Sequence, residues 1–208
     1  MKSCAILGAS GHGKVIAEIA ELNGYHNIVF FDDRWPSLNS VEHWAVSGDT
    51  SALLSNVKEY DLVVVAIGHN TTRCVKQREL SSAGANFDVL AHPSAVLSKH
   101  ASIGVGSVIM ANAVINPFSH LGISCIINTG STVDHDCKLA EGVHISPGVN
   151  LAGGVEVGKN TWIGIGSQVK QLVVIGCDAV IGAGSTVIHN IPNSQTVVGS
   201  PARKFIKS

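Results

Sequence analysis

Aromatic side chains are scarce in this sequence of 208 residues. Phe, Tyr and Trp make up 5% of it, whereas hydrophobic residues make up 45%. Aromatic rings supply much of the core of an ordinary layered domain. Their shortage therefore predicts a core built from Val, Ile, Leu and small residues.

A basic surface and long apolar segments are lacking as well. The formal net charge is -1, so no positive field is available to attract nucleic acid or an anionic membrane. The longest apolar runs, such as 61–68, are too short to cross a bilayer. The first residues lead straight into the Gly-rich segment 8–13, which is not typical of a signal peptide. We therefore expect no nucleic-acid partner and no membrane segment.

The five cysteines contain no CxxC pair. An odd count without that spacing is typical of reduced, structural thiols rather than of disulfides or a zinc site. The sequence therefore predicts a cytoplasmic protein without a metal cofactor.

Six-residue repeats fill the second half of the chain. From Leu97 to Val187 every sixth residue is Leu, Ile or Val, which gives sixteen successive matches. A period of six fits neither an α-helix nor a free strand. It fits a solenoid of short strands in which three hexads, eighteen residues, make one coil. An ordinary β-sandwich with accidental spacing is the alternative, and so long a series disfavours it.

Two smaller patterns accompany the repeat. A small or β-branched residue usually stands four places after the aliphatic residue, as at Ala101 and Ser107, and would fill a narrow interior. Glycine often follows the aliphatic residue directly, as at Gly104 and Gly122. We interpret these glycines as residues that relieve the bend between strands at positive φ.

The first half has the pattern of a small α/β domain. Strands are predicted over 3–7, 27–31 and 62–67, and a helix is predicted over 14–23. The Gly-rich segment joins the first strand to the helix, and such a turn forms an anion site at the helix N-terminus.

An acidic pair, Asp32 and Asp33, follows the second strand and suits contacts to nucleotide hydroxyls. The Gly-rich turn alone would also fit a dinucleotide cofactor. The sheet, however, ends near residue 90, which favours a short nucleotide-binding domain. We place the two domains at 1–90 and 91–208, with a linker around His92-Pro93.

The motifs together resemble a known family. The hexads and the closing segment 191–203 are similar to those of hexapeptide-repeat, left-handed β-helix acyltransferases. Gly8-Ala9-Ser10-Gly11-His12-Gly13, the acidic pair and Val133-Asp134-His135-Asp136-Cys137 narrow the resemblance to NeuD/PglD-type sugar acyltransferases over nearly the whole chain. The resemblance implies an α/β, Rossmann-like nucleotide-sugar-binding domain followed by an all-β, left-handed parallel β-helix.

The resemblance also implies an activity. Family members transfer an acetyl group from acetyl-CoA to the 4-amino group of a nucleotide-linked 4-amino-4,6-dideoxy sugar, a step in bacterial glycan biosynthesis. The residues it assigns to substrate binding are Ser10, Gly11, His12, Asp32, Asp33, Gly68, Asn70 and Asn128.

His135 is the best candidate for a catalytic base. Acetyl transfer to an amine requires a group that accepts the amine proton. A carboxylate on the far ring nitrogen would fix the tautomer and raise the basicity, and the resemblance gives this role to Asp136. Since neighbours on a strand face opposite sides, their contact requires a bend at a prism corner. From the residues alone, a surface histidine without a role is the alternative.

The repeat and the resemblance together suggest how acetyl-CoA is bound. Gly153 stands eighteen residues after His135 and should lie directly over it. The resemblance assigns His144, Gly153, Ile165 and Ala183 to acetyl-CoA. His144 is half a coil away from His135. If His135 is the base and His144 contacts acetyl-CoA, the site must be shared between subunits. The flat faces of the prism favour a homotrimer. Direct attack without an acyl-enzyme is expected, because the inward positions of Cys125 and Cys137 are poor places for a nucleophile.

Three other functions fit the sequence less well. A γ-class carbonic anhydrase needs closely spaced zinc ligands, and His120, His135 and His144 lack such spacing. A sialic acid O-acetyltransferase is the nearest alternative enzyme, and Asp136 argues against it. A protein that only binds a nucleotide sugar is the non-catalytic alternative.

Overall fold

The computed structural model describes residues 1–205, and the chain divides into two compact units after Pro93. The elements of the first unit are β1 (Lys2–Leu7), α1 (Gly11–Leu22), β2 (Tyr25–Phe31), β3 (Ser40–Val41), β4 (Trp44–Ala45), α2 (Thr50–Asn56), a 3-10 turn (Val57–Glu59), β5 (Leu62–Val65), α3 (Asn70–Ser82) and β6 (Leu90–Ala91).

A three-stranded parallel sheet with the order β2-β1-β5 forms the centre of the first unit. Strand β5 and the carboxyl-terminal halves of β1 and β2 are apolar and mostly buried, as expected of a parallel sheet that helices cover. The core contains Ala5, Leu7, Phe31, Leu53, Val57, Val63, Val65 and Leu80. The predicted α/β class is confirmed. The helix begins at Gly11 rather than at residue 14, so residues 11–13 of the Gly-rich segment form its first turn.

The second unit is a β-helix of short strands, which are all parallel except the last, and this one pairs antiparallel with the strand before it. They are β7 (Val96–Leu97), β8 (Ser102–Ile103), β9 (Val108–Ile109), β10 (Val114–Ile115), β11 (His120–Leu121), β12 (Ile126–Ile127), β13 (Thr132–Val133), β14 (Lys138–Leu139), β15 (His144–Ile145), β16 (Asn150–Leu151), β17 (Glu156–Val157), β18 (Trp162–Ile163), β19 (Gln168–Val169), β20 (Val174–Ile175), β21 (Val180–Ile181), β22 (Thr186–Val187), β23 (Thr196–Val198) and β24 (Arg203–Lys204).

Every third strand belongs to the same sheet, so the coils form three flat faces. The face of β10, β13 and β16 and the face of β11, β14 and β17 meet at one corner, and the face of β12, β15 and β18 closes the prism. Partners in neighbouring coils are eighteen residues apart, as in the pairs Ile115–Val133 and Val133–Leu151. Ile109, Ile127 and Ile145 are fully buried, which confirms the repeat and its inward aliphatic residue.

The prediction for the glycines after the aliphatic residues was wrong. Gly104, Gly122 and Gly158 do not have positive φ. A Cβ at these positions would lie 2.4–2.6 Å from the backbone of the next coil. These glycines are therefore required by the close approach of successive coils. The left-handed residues come later in each corner, as at Gly106 and Gly130.

Within residues 1–205, no helix is long and apolar enough to cross a membrane.

Candidate functional site

The predicted nucleotide-binding residues gather at one edge of the first unit. The segments that follow β1, β2 and β5 all leave the carboxyl ends of parallel strands. In open α/β sheets this edge is the usual place for a ligand. The fold therefore brings together residues that are up to sixty positions apart in the sequence.

The N-terminus of α1 supplies anion-binding groups at this edge. Ser10 is the N-cap, and its side chain makes no capping hydrogen bond. The first helical bond is donated by the Lys14 N–H to the Ser10 carbonyl oxygen, so the N–H groups of Gly11, His12 and Gly13 have no partner within the helix. A Cβ at Gly13 would lie 2.3 Å from the Gly8 carbonyl oxygen, so this glycine lets the loop fold against the helix.

His12 is a partly buried histidine beside that helix terminus. Among residues 1–205, its Nε2 has no hydrogen-bond partner. Burial, and then the charge of Arg73, lower the pKa of His12 to about 4. The imidazole is therefore neutral at about pH 7, and its Nε2 is buried.

The acidic pair is held by the protein itself. The Asp32 carboxylate accepts hydrogen bonds from the Ala9 N–H at 2.8 Å and from the Arg34 guanidinium at 2.7 and 2.9 Å. Chiefly because of Arg34, the pKa of Asp32 lies well below its usual value. Asp33 accepts a bond from the Thr50 N–H at 3.0 Å, and the bonds from Thr50 lower its pKa. Both carboxylates thus stabilise the loops that line this edge.

Arg73 organises the third loop, a role that no sequence motif indicates. Its side chain is 2% exposed and donates to the carbonyl oxygens of Ile67 and Gly68 at 3.0 and 3.2 Å and to Asn70 Oδ1 at 3.0 Å. The predicted residues Gly68 and Asn70 are therefore positioned by a buried cation one helical turn further on.

The candidate base lies at a corner of the β-helix, between β13 and β14. His135 Nδ1 and Asp136 Oδ2 are 2.7 Å apart. Asp136 has a φ of 60°, and this left-handed turn supplies the bend that brings two sequence neighbours together. Both side chains are about 60% exposed, so the pair is open to a substrate.

Two carboxylates act on the His135 imidazole. The hydrogen bond to Asp136 and then the charge of Asp134 raise the pKa of His135. Because Nδ1 donates to Asp136, Nε2 is the nitrogen that can accept a proton.

Asp134 also fixes the turn, a role that is not among those predicted from the sequence. Asp134 Oδ1 accepts hydrogen bonds from the His135 N–H at 2.8 Å and from Asn116 Nδ2 at 2.9 Å. Asn116 stands one coil earlier in the same column, so the eighteen-residue period is the signal that could have found it.

Gly153 stands over the imidazole, as the repeat predicts. A Cβ at Gly153 would lie 2.6 Å from His135 Cε1 and 2.7 Å from Nε2. Only glycine at this position allows Cε1 and Nε2 of His135 to remain where they are.

A second group of predicted residues lies on another face. His144 Nε2 is 3.3 Å from Asn128 Nδ2. The His144 ring is stacked on Trp162, with 6.2 Å between the ring centroids, and the Trp162 indole donates to Ser146 Oγ at 2.7 Å. Asn128 therefore lies beside His144 and not beside His135.

Ile165 and Ala183 extend this second group along the following corner. They stand one coil apart, and both are exposed, Ile165 by 57%. The structure thus divides the predicted acyl-transfer residues into a His135 group (His135, Asp136, Gly153) and a His144 group (Asn128, His144, Ile165, Ala183) at different corners.

The cysteines near the corner are buried. Cys125 and Cys137 are 0% exposed, and burial raises the pKa of Cys137 to about 11. A thiol of this kind is protonated at about pH 7 and is a poor nucleophile. Among residues 1–205, no three His, Cys, Asp or Glu side chains are grouped so that they could hold a metal ion.

The chain has a parallel β-helix of eighteen-residue coils, and one corner carries an exposed histidine that is paired with a carboxylate. These two features define the class of hexapeptide-repeat acyltransferases. Comparisons with known proteins agree with this class. A sequence profile of the PglD N-terminal domain matches residues 3–80. The chain is 37% identical over 114 residues to UDP-N-acetylbacillosamine N-acetyltransferase of Bacillus subtilis, and this alignment covers 53% of the chain and about half (52%) of the relative.

Two solved structures match over almost their whole length. The acetyltransferase domain of PglB from Neisseria gonorrhoeae, in complex with acetyl coenzyme A, is 41% identical with a TM-score of 0.94, over 98% of this chain and 99% of that chain. A histidine-to-asparagine variant of perosamine N-acetyltransferase from Caulobacter crescentus, in complex with CoA and GDP-perosamine, is 34% identical with a TM-score of 0.94, over 100% and 98%. The chain belongs to the PglD-type family of sugar acetyltransferases.

Proposed function

We propose that this protein transfers an acetyl group from acetyl-CoA to the 4-amino group of a nucleotide-linked 4-amino-4,6-dideoxy sugar. The observation that carries the proposal is the His135–Asp136 pair, 2.7 Å apart and open to solvent beneath Gly153. The nucleotide is bound by the first unit at the N-terminus of α1 and the loops that contain Asp33 and Asn70. The reaction belongs to glycan assembly in the bacterial cytoplasm.

The chemistry requires one base and no acyl-enzyme. His135 Nε2 removes a proton from the amine as its nitrogen attacks the thioester carbonyl, and Asp136 stabilises the imidazolium that forms. The Gly153 N–H faces the developing oxyanion. The C–S bond then breaks, an amide remains on the sugar, and CoA leaves with the proton as the free thiol.

The active site is completed by a second subunit. One chain holds the His135 group and the His144 group at different corners, whereas an acyl donor bound by His144 must reach His135. A neighbouring chain in a cyclic trimer brings its own His144 group to the His135 corner, and three equivalent clefts result.

A mixing experiment tests the shared site. His135→Asn and His144→Ala are each expected to be nearly inactive. In trimers reassembled from equal amounts of the two variants, a cleft is intact when one subunit supplies His135 and its neighbour supplies His144. Random assembly gives this arrangement in about one quarter of the clefts. Recovery near one quarter of the unmodified activity supports the shared site, and no recovery contradicts it.

A substrate panel tests the reaction itself. Release of CoA thiol from acetyl-CoA is measured with UDP-, GDP- and dTDP-linked 4-amino-4,6-dideoxy sugars, with free sialic acid, and with a matched sugar nucleotide that lacks the amine. Turnover with one amino sugar nucleotide and none with its amine-free control supports the proposal. Turnover with sialic acid alone would replace it by O-acetylation.

A further inference from the structure

Two bulky apolar residues occupy backbone positions that disfavour them. Nine non-glycine residues of the described chain have positive φ, and seven of them are Glu, Asn, Ser or Asp. The other two are Phe118 and Leu172, with φ of 62° and 61°. A left-handed backbone costs free energy for a residue with a Cβ, and this cost is least for Asn and Asp.

Both residues stand in the column of Asp136. The register pairs His120 with Lys138 and Lys138 with Glu156, so Phe118, Asp136, Gly154 and Leu172 follow one another along the same corner. Neither apolar side chain is required by the core, because Phe118 is 57% exposed and Leu172 is 75% exposed. Strain that packing within the chain does not explain is a reason to look for a function.

Phe118 and Leu172 lie on opposite sides of the candidate base. Leu172 Cδ2 is 2.7 Å from the Cβ that Gly154 would carry, so Leu172 packs over the coil that contains Gly153. In the proposed reaction this is the thioester side. Phe118 lies in the preceding coil, on the opposite side of His135. In the proposed reaction this is the side from which the sugar amine approaches.

The Phe118 ring is held in a fixed position. It is stacked on His100, with 5.4 Å between the ring centroids and 25° between the planes. The Asp136 N–H donates to the Pro117 carbonyl oxygen at 3.2 Å, which joins the two coils beside the ring. A fixed aromatic face beside the base is suited to a small apolar group.

We propose that Phe118 is a specificity-determining residue that contacts the C6 methyl group of the acceptor sugar, an inference that rests on the proposed function. A sugar that carries a hydroxymethyl group at this position would place a hydroxyl against the ring without a hydrogen-bond partner. The unmodified protein is therefore expected to prefer the 6-deoxy acceptor by at least about 10-fold in kcat/KM.

The test uses Phe118→Asn, with Leu172→Asn as the matched control in the same column. Both variants place the residue type found at Asn112 and Asn160 in a left-handed turn. For each protein, kcat/KM is measured with a 4-amino-4,6-dideoxy sugar nucleotide and with its 6-hydroxy counterpart, together with the Tm and the oligomeric mass.

We expect Phe118→Asn to lower the preference for the 6-deoxy acceptor to less than about 3-fold, chiefly through loss of kcat/KM on that acceptor, and to raise the Tm by about 2–4 °C. Leu172→Asn should raise the Tm similarly and retain the preference.

Several results would overturn the inference. If the preference persists in Phe118→Asn, Phe118 does not contact the methyl group. If the preference is lost together with a fall in Tm or a smaller oligomer, Phe118 serves packing or a subunit contact instead. If the unmodified protein acetylates neither acceptor, the proposed function fails and the inference fails with it.

Discussion

Replacing Gly153 by Ala tests whether the open space above His135 is required for catalysis. The new Cβ would lie 2.6 Å from His135 Cε1 and 2.7 Å from Nε2, whereas ordinary contacts begin near 3.4 Å. The imidazole must therefore move by about 1 Å, which is enough to disturb the 2.7 Å bond to Asp136. A displacement of about 1 Å at a reacting group costs on the order of 100-fold in rate.

We expect kcat/KM for CoA thiol release to fall about 100-fold in Gly153→Ala while the fold is unchanged. The φ of Gly153 lies outside the left-handed region, and the three atoms nearest to the added Cβ all belong to the His135 side chain. The backbone therefore accommodates Ala, and the Tm should change by no more than about 2 °C. A variant that retains kcat/KM within about 3-fold would refute the geometric reasoning.

A double variant separates two causes of this loss. If the methyl group acts by moving His135, then Gly153→Ala combined with His135→Asn should be no less active than His135→Asn alone. A further loss in the double variant would mean that the methyl group blocks the thioester directly.

Three further predictions concern other groups. His135 must be neutral to accept a proton, and the bond to Asp136 raises its pKa. Asp136→Asn should therefore lower the plateau of kcat/KM and shift the acid limb of its pH profile to lower pH. An unshifted acid limb would contradict the pairing. Asp32→Asn should destabilise the fold by about 1–2 kcal/mol at about pH 7. Since the pKa of Asp32 is depressed, the difference in Tm from the unmodified protein should persist down to about pH 4 and shrink as the pH falls further through the folded-state pKa; a difference that grows in acid would contradict this. Iodoacetamide should leave Cys125 and Cys137 unmodified in the folded protein because both are buried, and mass spectrometry after incubation with acetyl-CoA should detect no acetyl-cysteine.

The β-helix could be predicted from the sequence because its period is fixed by geometry. A six-residue aliphatic repeat determines the coil length, and the coil length determines which residues stack, so the position of Gly153 above His135 followed from counting. The repeat did not distinguish glycines required by φ from glycines required by close approach. Gly104 illustrates the second cause, which depends on the distance between coils and is not encoded locally.

The first unit was predicted less completely. The three buried strands were recognised as apolar runs, but the β3–β4 hairpin and helices α2 and α3 were not assigned. Each strand of the hairpin contains two residues, which is too short for a periodic pattern. Helix α3 buries Arg73 and Gln77, so its inward face does not have the apolar stripe by which helices are recognised. Arg73 is paired instead with Ile67, Gly68 and Asn70 in the loop and the first helical turn before it, and an apolar pattern does not reveal such pairing.

The eighteen-residue register of the coils also governs which insertions the protein can accept. Adding or removing one residue between His135 and Gly153 would turn all later columns by one position, and Gly153 would no longer stand over His135. Adding eighteen residues after Leu172 would lengthen the prism by one layer and leave the His135 column unchanged up to that point. In this β-helix, length can therefore vary in whole coils without any change in the catalytic corner.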